Sequence, residues 1–452
     1  MKNRFPTAQE RWPRQGEEIE MTKRIKPKDG NKTFCMAPWT HTFLSPQMER
    51  RLCCSSREDS QNFKQYIDTL PKNNLPTSKI NLQTLEQHWN SDYMKAVRLK
   101  LMAGEEIPQC QVCNHKLLSV ATYRSHFNKL YEKQIDEAFE KTNQDGSTNM
   151  QVTSWDYRFN NLCNFKCRMC GDMLSSSWEA ETRKHNDWSP ESKPWMASPL
   201  REQIKSFQDK EVVQEFVDSI ETKQVREIYW CGGEPLMWDI HWKAMERIVE
   251  LGFASEVYVR YNTNLSRTSF RNSNLFDLLK YFNDWQVCAS IDGTGEVGEY
   301  IRDGLNYEQW LRNFREGLSV STNSRQMRLD FTITLLGLLE LKNMFDLSKE
   351  LDTEILTKVM FTFSNDEILS PLSLPKKLLH TIIDEALAYI QPRATRKQKA
   401  LIDVLKNLKT RETFDPTRTG KLRQMYLDKI RKQDITKILV KDKRILEWWK
   451  SI

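Results

Sequence analysis

Ten cysteines are the residues of this chain with the clearest chemistry, and eight of them fall in two groups. One group is the tight run Cys163-Asn-Phe-Lys-Cys167-Arg-Met-Cys170. Thiolate is the soft ligand that iron–sulfur clusters use, and three thiolates so close can bind three irons of a cubane. The fourth iron is then left without a protein ligand and open to a small molecule, as the open position of a catalytic zinc is. A structural zinc knuckle is the competing reading, but it wants four ligands, and no fourth Cys or His lies close by in the sequence. About sixty residues on comes Tyr229-Trp230-Cys231-Gly232-Gly233-Glu234-Pro235. It ends an apolar run from Val225. Two glycines let backbone approach a ligand, and Glu234 offers a carboxylate to a cation.

Together the two motifs resemble the radical S-adenosylmethionine (SAM) superfamily, whose signatures are Cys-x3-Cys-x2-Cys after the first barrel strand and Gly-Gly-Glu-Pro after the second. The resemblance implies a 4Fe–4S cluster on Cys163, Cys167 and Cys170, with SAM chelated at the open iron. It also implies reductive cleavage of SAM to a 5′-deoxyadenosyl radical that abstracts a substrate hydrogen. Gly232, Gly233 and Glu234 are then SAM-binding residues. Asn262 and Asn264, from Tyr261-Asn262-Thr263-Asn264, are placed near the ribose or the methionyl group. By the same resemblance Ser290 meets SAM and Arg302 pairs with its carboxylate, for which the guanidinium fork is suited. Strand-end capping is the alternative for each of these. Met169 stands where the family usually has an aromatic residue. Asp292 is a candidate proton acceptor or a turn former before Gly293. Cys231 and Cys288, on strands, read as small hydrophobes.

The second cysteine group is spread out: Cys35, the pair Cys53-Cys54, and Cys110-Gln-Val-Cys113. It is similar to a twitch domain, the shortened SPASM domain that carries an auxiliary 4Fe–4S cluster, here placed before the barrel. The family's glycine is Met48 in this chain, which leaves the turn geometry open. The implied ligands are Cys35, Cys53, Cys110 and Cys113, with Cys54 spare. Zinc is the alternative metal for four thiolates. His41 reads as structural, and Pro38 and Trp39 as packing over the cluster. An auxiliary cluster beside a radical site suggests uptake of an electron from the substrate radical.

From residue 151 the pattern alternates strand and helix, which argues for a parallel sheet. Strands are expected at Ser154–Phe159, Val225–Trp230, Val257–Tyr261, Trp285–Ile291, Met327–Leu335 and Lys358–Phe363. Helices are expected at His241–Leu251, Glu308–Leu318 and Leu339–Leu351. The fold class is α/β: a partial (β/α)6 TIM-type barrel with a small N-terminal Cys-rich domain and a helical C-terminal tail. The substrate site belongs at the C-terminal strand ends. The expected boundaries are a disordered lead over 1–30, with Met21 an alternative start, an auxiliary domain over 31–140, a linker over 141–150, the core over 151–365, and the basic helical region over 366–452.

The chain has 452 residues and a net charge of +7. Residues 391–452 carry 18 Lys and Arg against 7 Asp and Glu, so the basic excess sits in the tail. Fourteen tryptophans and twenty phenylalanines exclude wholesale disorder. No apolar run reaches the eighteen or so residues of a membrane span, and the start lacks a signal-peptide core. A cytoplasmic enzyme without a membrane partner is expected. Its substrate reads as a peptide or protein side chain, or alternatively a carbohydrate or other small molecule, and its electron donor as a flavodoxin or ferredoxin. A zinc-stabilised nucleic-acid-binding protein is the reading of another class, weakly supported by the basic tail with Tyr426, Trp448 and Trp449. The preferred account of that tail is a helix bundle anchored by the two tryptophans.

Overall fold

Strand residues alternate between two environments, and this alternation builds the sheet. The computed structural model describes residues 23–56, 82–115, 122–190, 192–360 and 367–452. Its strands are β1 (His41–Leu44), β2 (Arg50–Arg51), β3 (Ser154–Tyr157), β4 (Glu227–Trp230), β5 (Tyr258–Thr263), β6 (Ser269–Phe270), β7 (Ser273–Asn274), β8 (Asp284–Ser290), β9 (Met327–Ile333) and β10 (Glu354–Val359). The chain divides into two compact units. The first takes residues up to Asn160 with Thr182–Gly232 and Glu250–Phe253; the second takes Asn161–Glu181, Gly233–Val249 and Ala254–Ile452.

In the first unit the strand order is β4-β3-β1-β2. β1 runs parallel to β3 and β3 parallel to β4, while β2 is antiparallel to β1. A buried cluster gathers Phe34, Cys35, Trp39, Val97, Leu101 and Phe127. Fully buried Arg98, in the helix Asp92–Met102, donates to the carbonyls of Pro38 and Trp89 at 2.9 and 2.6 Å and stacks on the Trp89 ring. Met48 supplies the turn between β1 and β2 at φ 64, the left-handed conformation glycine usually takes there, with its side chain buried.

In the second unit the order is β10-β9-β8-β5, all parallel. Val259, Tyr261, Val287, Ala289, Leu329 and Phe331 are fully buried on one face. Helix Tyr307–Val320 packs there so closely that a Cβ on Gly317 would lie 2.5 Å from the Met327 sulfur. The opposite face is polar and partly open, with Asn262, Gln286, Ser290 and Lys358. The C-terminal helices include Lys376–Ile390, Lys399–Leu408, Arg418–Arg431 and Lys443–Ser451. Leu401, Leu405 and Leu408 are buried together on one helix, as their spacing predicts.

The architecture is therefore mixed α/β with a mostly parallel sheet and a helical C-terminal region, in keeping with a partial TIM-type barrel. Three local expectations change. The last strand lies at Glu354–Val359, four residues before the expected start; residues 361–363 of the expected Lys358–Phe363 lie outside the described residues. Ile355 packs on the buried face, which fixes the earlier register. Residues 1–22, with Met21, also lie outside the described residues, but 23–30 are seated. Arg24 donates to Phe139 O and Thr142 O, each at 2.6 Å, and Ile25 N to Met102 O at 2.9 Å. The stretch 141–150 is a tight turn with Thr142 bridged to Thr148, and a Cβ on Gly146 (φ +83) would lie 2.4 Å from Lys95 O.

Candidate functional site

The loop that follows β3 in the chain has to hold three thiols on one side, and backbone hydrogen bonds fix it there. Lys166 N donates to Asp303 O at 2.7 Å, and Arg168 N to Ile301 O at 2.8 Å. Ser175 Oγ bonds Phe165 O at 2.6 Å, and Trp178 Nε1 bonds Cys167 O at 2.8 Å. Gly304 lets the loop close, since a Cβ there would stand 2.8 Å from the Phe165 ring. Cys163, Cys167 and Cys170 are near enough to act on one another electrostatically. Burial raises all three thiols above their ordinary pKa, Cys163 to about 12. The sulfurs also receive donors. Phe165 N lies 3.4 Å and Asn264 Nδ2 3.9 Å from Cys163 Sγ, and Arg302 Nη1 lies 3.8 Å from Cys167 Sγ. Buried thiols with donors aimed at them suit a bound cation, because coordination deprotonates a thiol outright.

The C-terminal helices hold the same loop from behind. Arg168, buried between two of the loop's cysteines, donates to Asp428 Oδ1 at 2.5 Å and to Gln433 Oε1 at 2.6 Å, and lies over the Tyr300 ring. Arg431 grips Glu181 at 2.6 Å and covers the Trp178 ring at 4.4 Å. The sequence shows the tail only as basic. The structure commits these arginines to carboxylates and rings, and Trp449 is buried while Trp448 is half-buried.

The Gly-Gly-Glu-Pro turn needs its glycines. Gly232 and Gly233 have φ of 88 and 55, and in the first unit a Cβ on Gly232 would lie 2.7 Å from Arg158 Cδ. In the second unit Glu234 N donates to Leu162 O at 2.7 Å. The Glu234 carboxylate accepts from Thr263 Oγ1 (2.6 Å), Asn264 N (2.6 Å) and Leu236 N (3.1 Å). Burial nevertheless raises its pKa to about 7. Asn264 touches Cys163 and donates to Asn164 Oδ1 at 2.9 Å. Asn262 and Ser290 turn instead to Asp330, at 2.6 and 3.5 Å. Arg302 pairs with fully buried Asp292 at 2.7 Å, and Asp292 also accepts from Thr332 N. Thus Asp292 is a buried partner of Arg302 and of a strand N–H. Cys288 is buried, with its thiol pushed to about 12.

In the first unit the second thiol set comes together in part. Cys35 is acted on by Cys110 and Cys113, and Cys53 by Cys35 and Cys110. Asn128 clamps the backbone on both sides of Cys35, accepting from Met36 N at 2.8 Å and donating to Phe34 O at 2.9 Å. Arg124 ties Asn114 to Lys32 O at 2.5 and 3.0 Å. Trp39 stacks on Phe34 with centroids 5.1 Å apart. Cys54 also acts on its neighbour Cys53, but its other charged neighbours are Asp156, Arg158 and Cys231, with a hydrogen bond from Tyr123. Cys231, just past β4, is half-buried and joins that polar group, so it is not the strand hydrophobe its sequence suggests. His41 bonds Ser154 Oγ at 2.8 Å. Among the described residues no three His, Cys, Asp or Glu side chains converge on a position for a single metal ion.

In the sequence Asp330, Arg168 and Asp428 carry no site signal, and Lys358 stands only as the start of an expected strand. Asp330 and Lys358 share a face because the two-residue strand period and the β9–β10 register place them there.

Residues 157–338 match the family model of the Radical SAM superfamily. No curated protein matches the chain. The matched stretch contains all three loop cysteines, the Gly-Gly-Glu-Pro turn, Asn262, Asn264, Ser290 and Arg302. A radical SAM domain implies an enzyme that uses a 4Fe–4S cluster and SAM for radical chemistry. No described helix is long and apolar enough to cross a membrane.

Proposed function

We propose that Cys163, Cys167 and Cys170 ligate this cluster and that the enzyme abstracts hydrogen from a peptide or protein side chain. The observation that supports the site is the grouping of three thiols, two of them buried, on one pinned loop, with the Arg302 guanidinium aimed at the Cys167 sulfur and the Asn264 amide at that of Cys163. When bound, the cluster supplies the electron that splits SAM into methionine and a 5′-deoxyadenosyl radical. Glu234, Asn262, Asn264, Ser290 and Arg302 position SAM in this reading, with Gly232 and Gly233 giving backbone access. Arg302 also places positive charge beside Cys167 and neutralises Asp292. The electron comes from a small donor of flavodoxin or ferredoxin type.

We further propose that Cys35, Cys53, Cys110 and Cys113 hold a second 4Fe–4S cluster in an N-terminal twitch-like domain, suited to take an electron from the substrate. The donor set is four thiols, three of them in one apolar cluster with Trp39 and Phe127. Anaerobic reconstitution tests both sites. Two cubanes give about eight irons per chain. Alanine at Cys163, Cys167 and Cys170 should remove about half of the iron and abolish 5′-deoxyadenosine formation under dithionite. Alanine at Cys110 and Cys113 should remove the other half and leave slow SAM cleavage. A zinc-loaded, iron-free protein would overturn the proposal.

A further inference from the structure

We infer that Lys358 and Asp330, on the polar face of the second unit's sheet, form an anchoring subsite that takes an oxyanion of the substrate. This rests on reading residues 157–338 as the SAM-cleaving core. The parallel register sets Ser290 of β8 beside Asp330 of β9, and Thr332 of β9 beside Lys358 of β10. Ser290, Thr332 and Lys358 lie in the C-terminal halves of their strands, and Asp330 lies at the middle of β9. Asp330 is buried, and its Oδ2 receives Asn262 Nδ2 at 2.6 Å, Lys358 Nζ at 2.8 Å and Ser290 Oγ at 3.5 Å.

The choice of an anion follows from which partner has capacity left. A carboxylate oxygen that already receives three donors has little left to offer a ligand. The ammonium has three hydrogens, of which Asp330 takes one, and the Lys358 side chain is 49% exposed. The pair therefore presents a donor to solvent and keeps its acceptor inside. Charge points the same way. Arg260, Arg328 and Lys358 all act on buried Cys288 on this face, against Asp330 and against Glu354, which pairs with Arg328 at 2.8 Å. Arg302 and Asp292 in turn act on Lys358, so the ammonium belongs to the same electrostatic neighbourhood as the cysteine loop. Asp330 fixes the lysine, and a carboxylate or phosphate of the substrate would complete the ammonium's hydrogen bonds.

The test is an anaerobic calorimetric titration of the reconstituted, SAM-loaded chain with sodium acetate and with inorganic phosphate, at constant ionic strength. Saturable binding of either anion is expected, with methylammonium as the opposite-charge control. Lys358→Met should weaken the anion by about tenfold or more, the loss of one charge-assisted hydrogen bond, and should weaken SAM by less. Lys358→Arg keeps the charge and should retain anion binding, which keeps the test usable if the Met variant folds poorly. No saturable anion binding, equal binding by Lys358→Met, or an equal loss for SAM would overturn the subsite. If anions bind through Lys358 but no 5′-deoxyadenosine forms, the radical reading fails and the subsite stands. If SAM is cleaved without Lys358-dependent anion binding, only the subsite fails.

Discussion

Arg302 stands with its Nη1 3.8 Å from the Cys167 sulfur and its Nε 2.7 Å from the Asp292 carboxylate. One guanidinium thus serves two groups, the Cys167 thiol on the cysteine loop and the Asp292 carboxyl just past the end of β8. Burial raises the Asp292 carboxyl and Arg302 opposes it. Cys167 is likewise raised by burial and lowered by Arg302.

Removing this cation should therefore damage both fold and site. Arg302→Met leaves Asp292 buried without its partner, which costs about 3–5 kcal/mol. Arg302→Lys keeps the charge but loses the fork that spans both groups. The lysine variant should retain its iron while SAM cleavage drops by roughly tenfold to a hundredfold, the worth of a charge-assisted bond. Iron counting, urea unfolding and 5′-deoxyadenosine assays separate the two effects. Full cleavage by Arg302→Met would contradict this role.

The Cys53-Cys54 pair gives a sharper contrast, because neighbouring side chains turn to different surroundings. Cys53 joins Cys35 and Cys110, while Cys54 meets Arg158, Asp156 and Cys231. Cys53→Ser should lose about four irons after reconstitution, and Cys54→Ser should keep its full content. Loss of iron in neither variant would show that the pair is interchangeable, and equal loss in both would show that Cys54 is needed as well.

The cysteine spacing made most of the loop legible, since ligands so close in sequence can converge without tertiary help. The strand–helix alternation likewise exposed the parallel sheet. The spaced set needed the structure: spacing favours Cys53 over Cys54, but only the fold shows the different surroundings of the two. Met48 shows the limit of motif matching, for a buried methionine at φ 64 occupies the turn where glycine was expected. Asp330 and Lys358 were hidden because they meet only through the pairing of β9 with β10, which strand boundaries alone do not show. Charge counting gave a basic tail but not its targets. Arg168 and Asp428 are 260 residues apart in the chain.

That tail contact predicts a coupling between the C-terminal helices and the cysteine loop. The Arg431 side chain is 1% exposed, bonds Glu181 through two nitrogens at 2.6 and 3.1 Å, and lies near Asp303 at 3.4 Å. Arg431→Leu should destabilise the chain by about 1–3 kcal/mol, less than an uncompensated buried charge would cost, because Lys166 still pairs with Glu181 and Asp303. Arg431→Lys should lose less but still measurably, because the lysine cannot form the fork or cover Trp178 equally well. Urea unfolding measures the loss. Iron content should fall with it, because Trp178 Nε1 holds the Cys167 carbonyl. Unchanged stability in Arg431→Leu would mean that the tail docks without this pair.

Glu234 should make stability depend on pH in an unusual direction. Its carboxyl is raised from the ordinary 4.5 to about 7, chiefly by burial and against three hydrogen-bond donors. The folded state then holds a proton that the unfolded state has released between these values. The associated stability is fully present below about pH 4.5 and is lost as pH rises through about 7. Its size is on the order of 3 kcal/mol. Metal-free protein should therefore melt at a higher temperature at pH 5 than at pH 8, after allowance for other groups. Glu234→Gln cannot titrate and should flatten that difference, although its amide faces N–H donors and should lower stability at every pH. A wild-type profile that rises through pH 7, or a Gln variant with the wild-type slope, would show that the three donors hold Glu234 ionised.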